Sequence, residues 1–282
     1  MPLTIHRLRT LDEYLTFRSR EAPALARHHA ELERLLPKVP CNFNVDGYSY
    51  TAGCQVSFEV DFQYNGGSGT VNWRERVCCP LTGFANRSRA TVHVFDMEME
   101  VYPDSEIYLM EQASPLYHFL KARFPRLVGS EHLGEQVPLG NLNSDGVRNE
   151  DATHLSFKTE SLDAVVSLDV LEHVPNFLSA FRECARVLRR GGRMLWSVPF
   201  INAGASNLIR ARLVSGRIEH IEPPEYHADP ISPHGVLCYQ HFGWEMLEQI
   251  RSAGFRDAYA VCYFSREFGY LGGEQFLFVA CK

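Results

Sequence analysis

The stretch that most constrains the fold runs from Leu162 to Val198. Leu162-Asp-Ala-Val-Val-Ser-Leu168 is a nearly continuous apolar run of strand length, the texture of a strand buried on both faces. Phe177 to Leu188 then reads as an amphipathic helix, expected to end at Gly191-Gly192, because paired glycines stop helices. Arg193 to Val198 is a second apolar strand, closed by Pro199. A strand, a helix and a further strand in this order belong to a parallel sheet covered by helices on both faces.

The alternation extends in both directions. Ile107 to Met110 reads as a strand, Leu116 to Phe124 as a helix stopped by Pro125, and Leu127 to Gly129 as another strand. Trp244 to Ile250 sits in a helix, with strands at Ala258 to Phe264 and Gln275 to Ala280. Only a Gly-rich turn separates the last two, so the closing edge is expected to be antiparallel. Upstream the texture differs. Leu11 to Leu36 is helical in character, and Pro23 is expected to break it into two helices. From Pro40 to Pro103 the chain reads as strands: Val56, Phe58, Val60 and Phe62 alternate with polar residues, and a turn at Asn65 to Gly69 leads to a strand around Val71 to Val77.

Charge and cysteine usage narrow the function classes. With 28 Lys and Arg against 34 Asp and Glu, the net charge of −6 argues against nucleic acid as the main partner. The nearest basic cluster, Arg182, Arg186, Arg189, Arg190 and Arg193, reads as the solvated face and C-terminal end of one helix. No apolar run approaches the ~20 residues that span a bilayer. The eight cysteines carry no export context and are expected to be cytosolic thiols, which places the protein in the cytoplasm, with no membrane partner.

Ser161-Leu-Asp-Ala-Val-Val-Ser-Leu-Asp-Val-Leu-Glu-His-Val-Pro175, followed by Arg186-Val-Leu-Arg-Arg-Gly-Gly-Arg-Met-Leu-Trp-Ser-Val-Pro199, closely resembles the centre of class I S-adenosylmethionine-dependent methyltransferases. The resemblance covers Glu106 to the C-terminus. It implies a doubly wound, Rossmann-like α/β sheet with an antiparallel last strand, and a small N-terminal α+β module in front. The expected organisation is a helical lid at 1–39, a small β module at 40–103 and the S-adenosylmethionine-binding domain at 104–282.

The same register implies the cofactor contacts. Asp151 and Ala152 fall where the family carries the acid that accepts from the adenine amine. Glu131 matches the acid that holds both ribose hydroxyls, a task suited to an acceptor-only carboxylate. Asp169 points from a strand end towards the cofactor, and His173 matches a histidine that commonly supports the cofactor loop. Glu111-Gln112-Ala113-Ser114-Pro-Leu-Tyr117 stands where the family has an acid followed by G-x-G-x-G. The same form, E-Q-x-[ST]-P-L-Y, occurs in a bacterial methyltransferase-like subgroup with a variant first-strand loop, so Glu111, Gln112, Ala113 and Ser114 are expected to line the methionine end.

The N-terminal module resembles a zinc ribbon that has lost its ligands. Gly47-Tyr48, Cys79-Pro80, Gly83 and Asn86-Arg-Ser-Arg89 match, but Ser49 and Thr82 stand at ligand positions. Hydroxyls do not hold zinc, so no metal is expected. The segment from Pro223 to Gly235 carries Glu225, Tyr226, His227, Asp229 and His234. In this fold it covers the acceptor pocket. It could orient an acceptor, bind a metal through His-Asp-His, or pack as a Pro-stiffened loop.

The resemblance therefore implies methyl transfer from S-adenosylmethionine to a small molecule of specialised metabolism, with S-adenosylhomocysteine as product. Tyr117, Tyr226 and His227 are the candidate catalytic residues. The altered loop leaves two alternatives. One is an intramolecular cyclase that closes azetidine-2-carboxylate and releases methylthioadenosine; the other is a non-catalytic binding protein. The sequence does not specify the oligomeric state.

Overall fold

The computed structural model describes residues 3–64, 69–228, 232 and 234–282. A seven-stranded sheet runs in the order Ile5–Leu8, Asp257–Ser265, Tyr270–Cys281, Leu188–Ser197, Leu162–Leu168, Ile107–Leu109, Val128–Gly129. The last four are mutually parallel, and the strand ending at Cys281 is antiparallel to 188–197. This is the Rossmann-like α/β arrangement expected, antiparallel closing strand included. By its internal contacts the chain forms two units: Met1–Leu8, Asp12–Glu98 and Ala260–Leu277 make one, and Arg9–Leu11, Met99–Tyr259 and Phe278–Lys282 the other. The boundaries at 39 and 103 divide the chain by texture; its contacts group it differently, since 260–277 belong with the N-terminal residues.

The larger unit is built around the 162–168 strand, where Ala164, Val165 and Val166 are fully buried beside Ile107, Leu109, Leu195 and Trp196. The Phe177–Val187 helix packs Phe177, Phe181 and Cys184 inward. It starts at Asn176, whose side chain accepts from the Ser179 amide, offsetting one of the unpaired N–H groups of a helix start. The expected end at Gly191-Gly192 is corrected: strand begins at Leu188 with no intervening turn, and both glycines lie within it. Gly191 takes φ +82°, a kink that glycine absorbs without strain. Arg189, Arg190 and Arg193 accordingly sit on a strand, not on the helix face.

In the smaller unit one helix, Leu11–Leu35, runs through Pro23, correcting the expected break. Proline removes one backbone donor, yet the buried face continues on both sides, with Tyr14 and Phe17 before it and Leu25, His28 and Leu32 after it. Phe43–Ser49 and Cys54–Val60 form an antiparallel hairpin. The expected 71–77 strand shrinks to Val77–Cys78, because the amides of Glu75 and Arg76 turn back onto the Asn72 carbonyl at 3.1 and 2.8 Å. The 65–69 turn lies, except for Gly69, outside the described residues. Asn86–Glu98, expected as strand texture, is a helix.

Its buried residues explain why the apolar pattern missed it. Asn86 donates to the Trp73 and Leu271 carbonyls at 3.0 and 2.9 Å. Arg89, wholly buried, donates to the carbonyls of Phe268, Gly269 and Val77 at 2.6, 3.0 and 3.1 Å. Its guanidinium lies 3.9 Å from the centre of the Phe58 ring. Buried polar groups are tolerated when hydrogen-bonded, so this helix carries a polar core face. Nearby, Cys79 is in hydrogen-bonding contact with Ser49 and Thr82, and Thr51 stands 3.4 Å from both hydroxyls. The matched positions Ser49, Cys79 and Thr82 do converge, with the Thr51 hydroxyl beside them. Among the described residues no helix is long and apolar enough to cross a membrane.

Candidate functional site

Ligands in doubly wound sheets bind beyond the carboxyl ends of the strands, where the strand order reverses. Here that point lies between 107–109 and 162–168, since the chain passes from the first to 128–129 on one side before crossing to the other. The acidic residues of the sequence reading stand at these ends. Glu131 follows the 128–129 strand, and its Oε1 accepts from the backbone amides of Gln112 and Ala113 at 2.7 and 2.8 Å. One carboxylate oxygen thus shapes the loop after the first strand, and Oε2 remains for a ligand.

The loop is further held by its own side chains. Ser114 donates to Glu111 Oε1 at 2.6 Å and accepts from the Tyr117 amide at 3.0 Å as cap of the Pro115–Arg123 helix. Gln112 donates to the Gly146 carbonyl at 2.9 Å and accepts from the Arg148 amide at 2.9 Å. Gly129 permits the fit: a Cβ there would stand 2.5 Å from the Tyr117 ring and 2.6 Å from the Glu111 carbonyl. Side-chain and carboxylate contacts therefore fix the shape of this loop.

Asp151 Oδ1 accepts from the amide and hydroxyl of Thr153, both at 2.7 Å, across a turn that contains Ala152. Asp169 ends the 162–168 strand at φ +51°, a left-handed conformation that costs a non-glycine residue about 1–2 kcal/mol. The Ser197 hydroxyl donates to its Oδ1 at 2.8 Å, and its amide donates to the Ser197 carbonyl at 3.0 Å. Ser197 went unnoticed in the sequence, and its place at the end of a parallel strand was the available signal.

His173 turns elsewhere. Its Nδ1 lies 2.9 Å from the Leu237 carbonyl, and the 237–240 segment is strapped to the Leu171–His173 turn. The Tyr239 amide donates to the Glu172 carbonyl at 2.7 Å, and Gln240 Nε2 to the carbonyls of Leu171 and Val174 at 2.7 and 3.1 Å. Tyr226 is exposed, on a two-residue strand with His227. His227 Nε2 lies 2.9 Å from Glu225 Oε1, and its Nδ1 lies 3.5 Å from Glu172 Oε1. Glu225 Oε1 also meets His241 Nε2 at 3.0 Å. The Cys238 Sγ lies within 4.8 Å of the His241 and Glu225 ligand atoms. Interaction with Cys238, and next with Glu172, holds His227 well above the usual histidine range against the opposing effect of burial. Burial pushes the Cys238 thiol up, and the two histidines more than reverse it. Asp229 lies outside the described residues, and His234 is exposed. Cys238 and His241 were missed although Glu-x-His followed by Cys-x-x-His is a ligand-like spacing.

Residues 119–196 match the methyltransferase domain family. That stretch of the chain is similar to a methyltransferase domain. No curated protein sequence matches the chain at a significant level. Among solved structures, an S-adenosylmethionine-dependent methyltransferase from Mesorhizobium loti is 16% identical, over 70% of this chain and 98% of that one, with a TM-score of 0.44. A chain of the Haloferax volcanii complex between the Trm112 methyltransferase activator and a methyltransferase is 16% identical, over 70% and 90%, with a TM-score of 0.43. The 1,6-didemethyltoxoflavin-N1-methyltransferase of Burkholderia thailandensis, solved with its substrate and S-adenosylhomocysteine, is 17% identical, over 70% and 78%, with a TM-score of 0.38. Likeness this distant carries no argument about what the methyltransferase domain acts on.

Proposed function

We propose that this methyltransferase domain binds S-adenosylmethionine across the ends of its parallel strands and transfers the methyl group to a small molecule. The observation that carries this reading is Glu131: its Oε1 is occupied by the two loop amides, and its Oε2 has no partner among the described residues. A carboxylate can accept four hydrogen bonds, so the residue can shape the loop and take the ribose hydroxyls together. Asp151 is held in the same way, with Thr153 on Oδ1 only, which suits Oδ2 to the adenine amine. The bound cofactor supplies a methyl group activated by a sulfonium.

The chain's part is then positioning. Glu111 and Ser114 fix the start of the helix that carries Tyr117, which supports a role for Tyr117 beside the methionine end. Tyr226 offers a phenol from the 226–227 strand to orient an acceptor. His227 has its Nε2 held by Glu225 at 2.9 Å and its Nδ1 turned towards Glu172 at 3.5 Å, so removal of an acceptor proton falls to another group or to water. Holding the nucleophile in line with the reacting carbon supplies the larger share of the rate.

The test incubates the pure protein with S-adenosylmethionine, alone and with pooled amine, hydroxyl and carboxylate acceptors, and identifies the nucleoside product. S-adenosylhomocysteine formed only with acceptors supports methyl transfer. Methylthioadenosine formed without any acceptor would replace it with the intramolecular cyclase.

A further inference from the structure

We propose that Glu225, His227, Cys238 and His241 form a structural zinc site in the larger unit, with Glu172 as the outer carboxylate that orients His227. The inference is independent of the cofactor reading and departs from the expectation that the chain holds no metal. Two loop segments converge to make it. Glu225 and His227 come from the start of the 223–235 segment, and Cys238 and His241 from its return. The ligand atoms of Glu225, Cys238 and His241 all lie within 4.8 Å of one another. His227 adjoins this group with its Nε2 2.9 Å from Glu225 Oε1, and a ligand atom of His227 also lies within 4.8 Å of those of Glu172 and His173.

The donor set is that of zinc. One thiolate, two imidazoles and a carboxylate are the groups this borderline-soft cation selects, and four protein donors make a closed, structural site. In a tetrahedron with zinc distances of ~2.0–2.3 Å, neighbouring donors stand ~3.3–3.8 Å apart. The separations from Glu225 Oε1 to the two imidazoles, 2.9 and 3.0 Å, need to open by only a few tenths of an ångström. Cys238 is 1% exposed, so a metal there would be shielded from exchange. Its present hydrogen bond to the Gln240 carbonyl, at 3.4 Å, is given up when the thiol loses its proton to the metal.

A second observation points to a missing cation. Glu172 is fully buried, and neither of its carboxylate oxygens has a hydrogen-bond partner. Its nearest cationic candidates are His227 Nδ1 at 3.5 Å and His173 Nε2 at 3.8 Å. A buried carboxylate left so loosely matched is costly. Zinc bound at Nε2 of His227 makes Nδ1–H a stronger donor, and a carboxylate on that second nitrogen is the usual outer partner of a zinc-bound histidine. Charge also balances. Arg210 Nη2 lies 3.2 Å from Glu225 Oε2, so zinc and Arg210 together neutralise the Cys238 thiolate, Glu225 and Glu172.

Such a site would fasten the two ends of the 225–241 segment to each other and, through Glu172, to the turn that ends the 162–168 strand. The test begins with the full-length protein stripped of metal, checked for fold by circular dichroism, and titrated with Zn²⁺ or Co²⁺ alone. The expected result is one equivalent of tightly held zinc. Co²⁺ should give a thiolate-to-cobalt charge-transfer band with intense tetrahedral d–d absorption. Cys238→Ser should abolish the charge-transfer band. Glu172→Gln should keep the band and weaken zinc binding by about 10–100-fold, which a merely space-filling role for Glu172 would not do. A folded wild-type protein that takes up no stoichiometric zinc, or whose cobalt spectrum lacks the thiolate band, overturns the site without recourse to any variant.

Discussion

The hydroxyl of Ser197 donates to Asp169 Oδ1 at 2.8 Å while the Asp169 amide reaches back to the Ser197 carbonyl at 3.0 Å. The carboxyl ends of two adjacent parallel strands are thereby tied to each other. Asp169 holds a left-handed conformation there, and strain of this kind persists only where the surroundings impose it. Removing the hydroxyl in Ser197→Ala should cost about 1 kcal/mol, read as a lower urea midpoint at unchanged slope. An unchanged midpoint would show that the strand-end tie contributes nothing to stability.

Gly129 gives a second test. Alanine there would press on the Tyr117 ring at 2.5 Å and on the Glu111 carbonyl at 2.6 Å. The ring can move but the backbone carbonyl cannot do so cheaply, so Gly129→Ala should destabilise by about 1–3 kcal/mol and weaken S-adenosylhomocysteine binding. Adding Tyr117→Ser should recover only part of the loss. Full recovery in the double variant would mean that the loop backbone is not under the constraint described.

At Asp151 one carboxylate oxygen accepts from Thr153, and the other is proposed to accept from the adenine amine. Asparagine keeps Oδ1 for Thr153 and places either an amide N–H₂ or nothing useful where the adenine amine would donate. Asp151→Asn should therefore lose most of the preference for S-adenosylhomocysteine over its analogue without the exocyclic amine, a difference of about 1–3 kcal/mol. Equal discrimination by both proteins in a competition binding assay removes the adenine assignment.

The smaller unit should be acid-sensitive through His93. This residue is 2% exposed, stacks on Tyr50 with centroids 3.8 Å apart and has Nδ1 3.2 Å from the Tyr270 hydroxyl. Burial pulls its pKa from 6.5 to about 4, with Asp96 opposing. The unfolded chain thus binds the proton more readily than the folded one. Stability contributed by neutral His93 is complete above pH 6.5 and is lost as the pH falls towards 4. Urea midpoints measured from pH 7.5 to 4 should fall, and His93→Phe should flatten the curve over that window. Parallel curves for the two proteins would rule the histidine out.

How much of this was legible in the sequence depended on what each segment buries. The 162–168 strand was placed to the residue, because a central parallel strand must be apolar on both faces. The Asn86–Glu98 helix was invisible because Asn86, Arg89, His93 and Glu98 are among its buried residues, and hydrogen bonds to distant carbonyls satisfy groups that a hydropathy pattern assigns to solvent. Pro23 and Gly191-Gly192 misled for a related reason: tertiary packing overrode local breakers. At the site, Glu131 and Asp151 were singled out through the motif register. Cys238 and His241 were not, although Cys-x-x-His is a ligand-like spacing, because their approach to Glu225 depends on the return of the loop.

The account rests most heavily on Glu131 as both loop brace and ribose acceptor. Isothermal titration of S-adenosylhomocysteine into the wild-type protein and Glu131→Ala tests it directly. The wild type should bind one equivalent, and the variant, losing charge-assisted hydrogen bonds, should bind more weakly by roughly 1.5–3 kcal/mol, or about 10- to 150-fold. Equal affinity in a folded variant, or no binding by the wild type, would contradict the account.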